Sequence, residues 1–147
     1  MVTYDTLIDT TQEEVYNLVK NSAAVSAITS KVLDGLPYTS MQDNIGFPYV
    51  QVQTPTFTSA KKTFTTHVVS VKIDIVCFST MASKLRELVD AVRKAITDGR
   101  DTTTLAKLDK NRLPSSTYSQ ALLKDSKTIL YQGTVSCTYQ YWGEIDV

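Results

Sequence analysis

Apolar and polar positions alternate most regularly between Thr63 and Phe78. Val69, Val71, Ile73, Ile75 and Cys77 share one parity, and Ser70, Lys72 and Asp74 share the other. A period of two held this long predicts an antiparallel strand with one covered and one wet face. The period then changes. Leu85, Leu88, Val89, Val92 and Ile96 form one stripe of a helix that Ser79-Thr80 caps and Gly99 stops after Asp98. Near the end, Ile129, Tyr131, Val135, Cys137, Tyr139 and Tyr141 alternate with Gln132, Thr134, Ser136, Thr138 and Gln140, which predicts a second long strand.

The remaining segments carry weaker patterns. Thr10 with Glu13, or Thr11 with Glu14, has the spacing of a capping box, and Val15, Leu18 and Val19 follow as a helical stripe. Asn21-Ser22 interrupts and offers a second cap. Ala23 to Lys31 then reads as a second short helix, with Val25, Ala27, Ile28 and Val32 as its apolar set and an end near Asp34-Gly35. Residues 35–48 form a connector dense in turn formers. Tyr49 to about Phe57 reads as a strand with Val50 and Val52 on one face and Gln51 and Gln53 on the other. Pro55 marks an edge position or an early end. Thr58 to Lys62 reads as a polar hairpin loop. Between residues 100 and 127, Thr102-Thr103-Thr104 and Pro114-Ser115-Ser116 break the pattern. Leu105, Leu108 and Leu113 fit a turn of helix or a strand, Thr117 to Leu123 fits a strand, and Asp125-Ser126-Lys127 a turn.

This order predicts an α+β fold, an antiparallel β-sheet with α-helices packed on one face as a two-layer sandwich. No repeat and no linker interrupts it, so residues 1–147 are expected to form one domain. The sheet edge carrying Pro55 has few charges on its strand bodies, and such an edge needs blunting or pairing. Pairing with another copy of the chain is one solution.

Composition narrows the function classes. Fifteen Lys and Arg balance fifteen Asp and Glu, with one His, so there is no basic excess of the kind a dedicated nucleic-acid binder uses against phosphates. The charge is nevertheless segregated. Residues 1–60 carry two basic and six acidic groups, residues 61–127 thirteen and seven, and residues 128–147 none and two. That distribution suits a solvated surface, and it equally suits a head-to-tail contact between a basic flank and an acidic one. No stretch is long and apolar enough for a membrane span, and Met1-Val2-Thr3-Tyr4-Asp5 lacks the basic and apolar regions of a signal peptide.

Candidate chemistry is sparse. His67 has no second His or Cys at metal-ligand spacing, and no nucleophile or orienting carboxylate close in sequence. Cys77 and Cys137 lie on the apolar parity of their strands, where thiols are inert small hydrophobes. A disulfide between them requires neighbouring strands in matching register. Glu13-Glu14, read on a first helical turn, favours the helix dipole. Tyr131, Tyr139, Tyr141 and Trp142 have the ring faces to stack bases, but the alternation places the tyrosines with Val135 and Cys137 in a core or interface. No Gly-rich phosphate loop, nucleophile elbow or zinc-protease motif occurs. Neither a catalytic residue nor a cofactor or metal is expected. The basic loop features are Lys61, Lys62, Arg100, Lys110 and Arg112, which stand as candidate oligomer or partner contacts.

Four segments carry a resemblance to a known family. They are Leu18 to Ile28, with its small-residue run; Phe47-Pro48-Tyr49-Val50-Gln51-Val52; His67 to Phe78 feeding into Leu85 to Ile96; and the closing strand Tyr131 to Tyr139. In this order the sequence resembles the tail-terminator or tail-completion proteins of long-tailed bacteriophages and gene-transfer particles. The resemblance spans most of residues 10–142 and rests on order and patterning, since the family has no invariant motif.

The resemblance implies a non-enzymatic structural protein of the virion tail or neck, assembled in the host cytoplasm. Such proteins form a homo-oligomeric ring, commonly a hexamer, that caps the tail tube, stops its polymerisation and presents the head-joining surface. The implied partners are further copies of the chain, the tail tube protein and a head-completion or neck protein. DNA passes through the lumen without sequence-specific binding, and no membrane is involved. The alternatives are a head-completion or neck adaptor and, from a different class, a small α+β ligand-binding module with a pocket near His67.

Overall fold

The structure, a computed structural model, describes residues 2–35, 46–63, 66–109, 111–122 and 127–146. Most of the 35–48 connector, Lys110 and the greater part of the Asp125-Ser126-Lys127 turn lie outside the described residues.

The first helix begins earlier than the capping-box spacing predicts. Helix α1 spans Tyr4–Lys20, and its N-cap is Thr3, whose Oγ1 accepts from the Thr6 amide at 3.1 Å. Thr11 is instead a buried position in a four-residue series with Leu7, Val15 and Val19. A threonine fits a cap and a covered helix face about equally well, which is why the sequence pattern misplaces the start. Ser22 caps the short α2 (Ala23–Ser26) by accepting from the Val25 amide at 3.3 Å. The helical reading of the residues that follow is corrected: Val32–Asp34 form strand β1, which pairs in parallel with β2 (Tyr49–Val52).

Strand β2 stops before Pro55 and runs antiparallel to the last turn of pairing on β4 (Thr66–Ser79). It is therefore an interior strand, flanked by β1 and β4, so of the two readings of Pro55 the early end holds and the edge position does not. Gln51, expected on a wet face, is buried between its cross-strand neighbours Leu33 and Val76. Residues 58–62 do not form a loop. They belong to strand β3 (Thr56–Thr63), which pairs with the first half of β4.

The two strongest patterns are borne out. Val69, Val71, Ile73, Ile75 and Cys77 of β4 are fully buried, as are Leu88, Val89, Val92 and Ile96 of helix α3 (Ala82–Asp98), with Leu85 nearly so. Beyond α3, β5 (Lys107–Leu108) and β6 (Ser115–Leu122) both pair with β7 (Ile129–Gly143), and β7 pairs with β4 along almost its whole length. The result is a seven-stranded, mostly antiparallel sheet with helices over one face, an α+β two-layer arrangement. Helix α3 packs on β4 and β7, whereas α1 packs on β1 and β2, so the two long helices cover opposite halves of the sheet. They meet where Gly99 ends α3. A Cβ there would run into a Leu18 methyl of α1, so any larger residue requires the Leu18 side chain to move.

Candidate interaction surfaces

The residues flagged as contacts fall on opposite long edges of the sheet. Lys61 and Lys62 are exposed positions of β3, opposite Val68 and His67. Arg100 is exposed just past the end of α3, and Arg112 precedes β6. Arg112 lies 3.6 Å from the carboxylate of Asp109. That buried carboxylate also accepts from the Asn111 amide at 2.9 Å, so the pair fixes the turn into β6. The structure does not bring Lys61, Lys62, Arg100 and Arg112 into one site, and Lys110 lies outside the described residues.

Groups with chemical potential are already occupied. His67 Nδ1 accepts from the Ile145 amide at 3.3 Å, which seats the C-terminal segment beside β4. The same segment is held by the Asp146 amide donating to the Val2 carbonyl at 2.8 Å. Cys77 and Cys137 are free, and burial pushes both thiols up to about 12, with the Asp74 carboxylate adding to the effect on Cys137. They sit on adjacent strands, but Cys77 is opposite Gly133 and Cys137 opposite Ile73, so their register does not match. Glu13 and Glu14 lie within α1 and not on its first turn. Glu14 accepts from the Thr104 amide at 2.8 Å and ties α1 to the segment after α3. Tyr139 and Tyr141 are core residues, and burial raises the Tyr139 phenol most of all. Trp142 has the opposite parity and is exposed.

The face of the sheet away from the helices is rich in hydroxyls and amides, and at its β2 end Tyr49, Gln51 and Val76 are buried. Ser70, Lys72 and Asp74 of β4 stand opposite Gln140, Thr138 and Ser136 of β7, and Ser115, Thr117 and Ser119 of β6 continue the rows. Its central charges neutralise one another: Lys72 lies 4.0 Å from Asp74, which also accepts from the Ser136 hydroxyl at 2.7 Å. At one end of this face, Phe47, Tyr49 and Phe78 stack in sequence, with centroid separations of 5.4 and 4.7 Å.

The flanks carry the unpaired charge. On α1, Asp5, Asp9 and Glu13 recur every four residues and are exposed. That spacing lines them up along one side of the helix. Beside them Asp34 of β1 accepts from Gln12 Nε2 at 2.7 Å. Asp9, Glu13 and Asp34 share the lining of a shallow cleft of about 420 Å³. At the other flank, Arg86 of α3 lines a cleft of about 530 Å³ with Tyr118, Ser119 and Gln120 of β6. Arg93 and Lys94 line a groove of about 330 Å³ with Asp90, Asp98, Leu113 and Pro114, so this groove carries both signs of charge and Arg86 is the clearer cation of the flank. Among the described residues, none of these six charges (Asp5, Asp9, Glu13, Asp34, Arg86, Arg93) lies within ion-pair distance of an opposite charge. A cleft of about 780 Å³ between α1, α2 and the end of α3 is lined by Glu14, Asn17, Asn21, Lys94 and Asp98, and His67 does not contribute to it.

Sequence reasoning detected the charge segregation and the strand reading of Thr117 to Leu123, which the structure extends back to Ser115 as β6. An uncharged run with a β-branched and an aromatic residue, Ser115 to Leu122, starting just after Pro114, was the available signal.

No protein-family model matches the sequence, and no curated protein matches it. Solved structures do match. One is a chain in the virion of a native gene transfer agent particle, which aligns with a TM-score of 0.59 over 90% of this chain and 94% of that one, at 11% identity. The chain thus shares its fold, almost end to end, with a component of an assembled particle.

Proposed function

We propose that this protein is a structural component of a virion, and specifically a tail-terminator or tail-completion subunit. Several copies would form a ring that caps the tail tube, stops its growth and presents the surface to which the filled head attaches. The observation that carries the reading is the fold shared over nine-tenths of the chain with a component of a gene transfer agent virion. The sequence resemblance to tail-terminator proteins points the same way.

The surfaces are consistent with such a role. The reactive groups are held in structural roles, His67 by the Ile145 amide and both thiols by burial, so the molecule works through its edges and flanks. The sheet face away from the helices presents hydroxyls, amides and a neutralised Lys72–Asp74 pair, and so offers few cations to retain a passing phosphate backbone. DNA would pass such a surface without being read.

Deleting the gene from the particle-producing strain tests this directly. Electron microscopy should show full heads separate from tails, with tails longer than normal. Normal-length tails beside heads that leak their DNA would instead support a head-completion or neck adaptor. Intact, infectious or transferring particles would reject a structural role altogether.

A further inference from the structure

Each end of the sheet carries charge that, among the described residues, has no opposite charge within ion-pair distance. The α1–β1 end presents Asp5, Asp9, Glu13 and Asp34, and the α3–β6 end presents Arg86 and Arg93. Asp90, the exposed carboxylate on α3 between the two arginines, is not within ion-pair distance of either. The two ends lie on opposite halves of the molecule, because α1 packs over β1 and β2 while α3 packs over β4 and β7. Among the described residues the named charges of one end are not within ion-pair distance of those of the other.

The α3–β6 end also leaves backbone open. β6 pairs with β7 through eight consecutive positions, and among the described residues nothing pairs with its outer edge. That edge carries no charge, and Tyr118 and Leu122 on it are 52% and 66% exposed. An unprotected edge of this length is a site at which another chain is expected to sit.

We propose that a second copy of this chain occupies it: the α1–β1 flank of one copy docks on the α3–β6 flank of the next, with Asp9 and Glu13 facing Arg86 and Arg93. The contact is heterologous, since the two surfaces differ, and repetition of one heterologous contact closes into a ring when its rotation permits. This inference rests on the ring reading above and names the surfaces that would build the ring. Charge complementarity selects a second copy over an unrelated partner, because one chain supplies both an acidic stripe and the arginines Arg86 and Arg93, none of them within ion-pair distance of an opposite charge among the described residues.

The test uses two charge-reversed chains, Arg86→Glu with Arg93→Glu, and Asp9→Lys with Glu13→Lys. All four positions lie outside the buried core, so circular dichroism and thermal unfolding should match the parent. Native mass spectrometry and light scattering at low salt should show the parent assembling. Each reversed chain alone should need at least about a tenfold higher concentration. Mixing the two should restore assembly with equal numbers of each, because each chain then meets only its complement. Assembly of both reversed chains at the parent's concentration, or a mixture no better than either alone, overturns the proposed surfaces while leaving the ring reading in place. A parent chain that is monomeric in solution and present as a single copy in purified particles overturns both.

Discussion

Strands β3 and β6 are both eight residues long, and each borders the sheet on one side only, yet they are built in opposite ways. β3 is blunted. Its register with β4 shifts between Phe57 and Ser59, Lys61 and Lys62 stand exposed along it, and Tyr4 of α1 packs edge-on against Phe57 at 5.0 Å. A bulge, charges and a covering aromatic are recognised devices against unwanted strand pairing. β6 has an unbroken register, no charge and exposed Tyr118 and Leu122, and Leu113 just before it is 80% exposed. The two border strands therefore differ: β3 is guarded against further pairing and β6 is available for it.

The largest perturbation acts on the centre that both edges share. Cys77 and Cys137 lie on β4 and β7, and their thiols stay protonated to about 12 in the folded chain, against an ordinary value of 9.0. Unfolded thiols ionise first, so this contribution to stability is complete below about pH 9 and is lost as the pH rises toward 12. The slope should approach about 1.4 kcal/mol per pH unit for each thiol within that window. Denaturant melts across the range should show the decline, and Cys77→Ala with Cys137→Ala should reduce it, most clearly between about pH 9 and 10, because above that the raised Tyr139 phenol adds a decline of its own. An unchanged slope in the double variant would mean that the thiols are not its cause.

A smaller effect separates the β6 side from the β3 side. Gly133 of β7 lies opposite Tyr118 of β6 and beneath Val89 of α3, and a Cβ there would come within 2.5 Å of a Val89 methyl. Gly133→Val should lower stability by about 1–3 kcal/mol through overpacking. Urea midpoints would measure it, and self-association should weaken with it as Tyr118 and the β6 edge are displaced.

The smallest change in stability is expected on β3. Lys61→Thr with Lys62→Thr should leave the unfolding free energy within about 0.5 kcal/mol, since both residues are exposed. Light scattering should nevertheless show new concentration-dependent aggregation, because the charges that guard this edge are gone. A variant that stays as dispersed as the parent would show that the bulge suffices.

What could be read from sequence follows from how local each signal is. The β4 and β7 alternations and the α3 stripe were legible because one covered face imposes its period over many residues. β1 was not, because three residues carry no period and its parallel partner lies some 18 positions further on in the chain. β3 looked like a loop because a blunted edge replaces apolar alternation with lysines and a bulge. β6 was only half legible, since the face of the sheet away from the helices makes its alternate positions Ser and Thr. The charge segregation was visible in residue counts, but its assignment to flanks required the positions of α1 and α3. Lys61 and Lys62 illustrate the difference: read as part of a loop, they lie on strand β3.

Amide hydrogen exchange compared between the assembled and dissociated protein tests the asymmetry of the two edges most directly. The account predicts slowed exchange on assembly in Ser115–Leu122 and along the first half of α1, with β3 unchanged. Slowing confined to β3, with β6 exchanging as fast in the assembly as in the free chain, would contradict it.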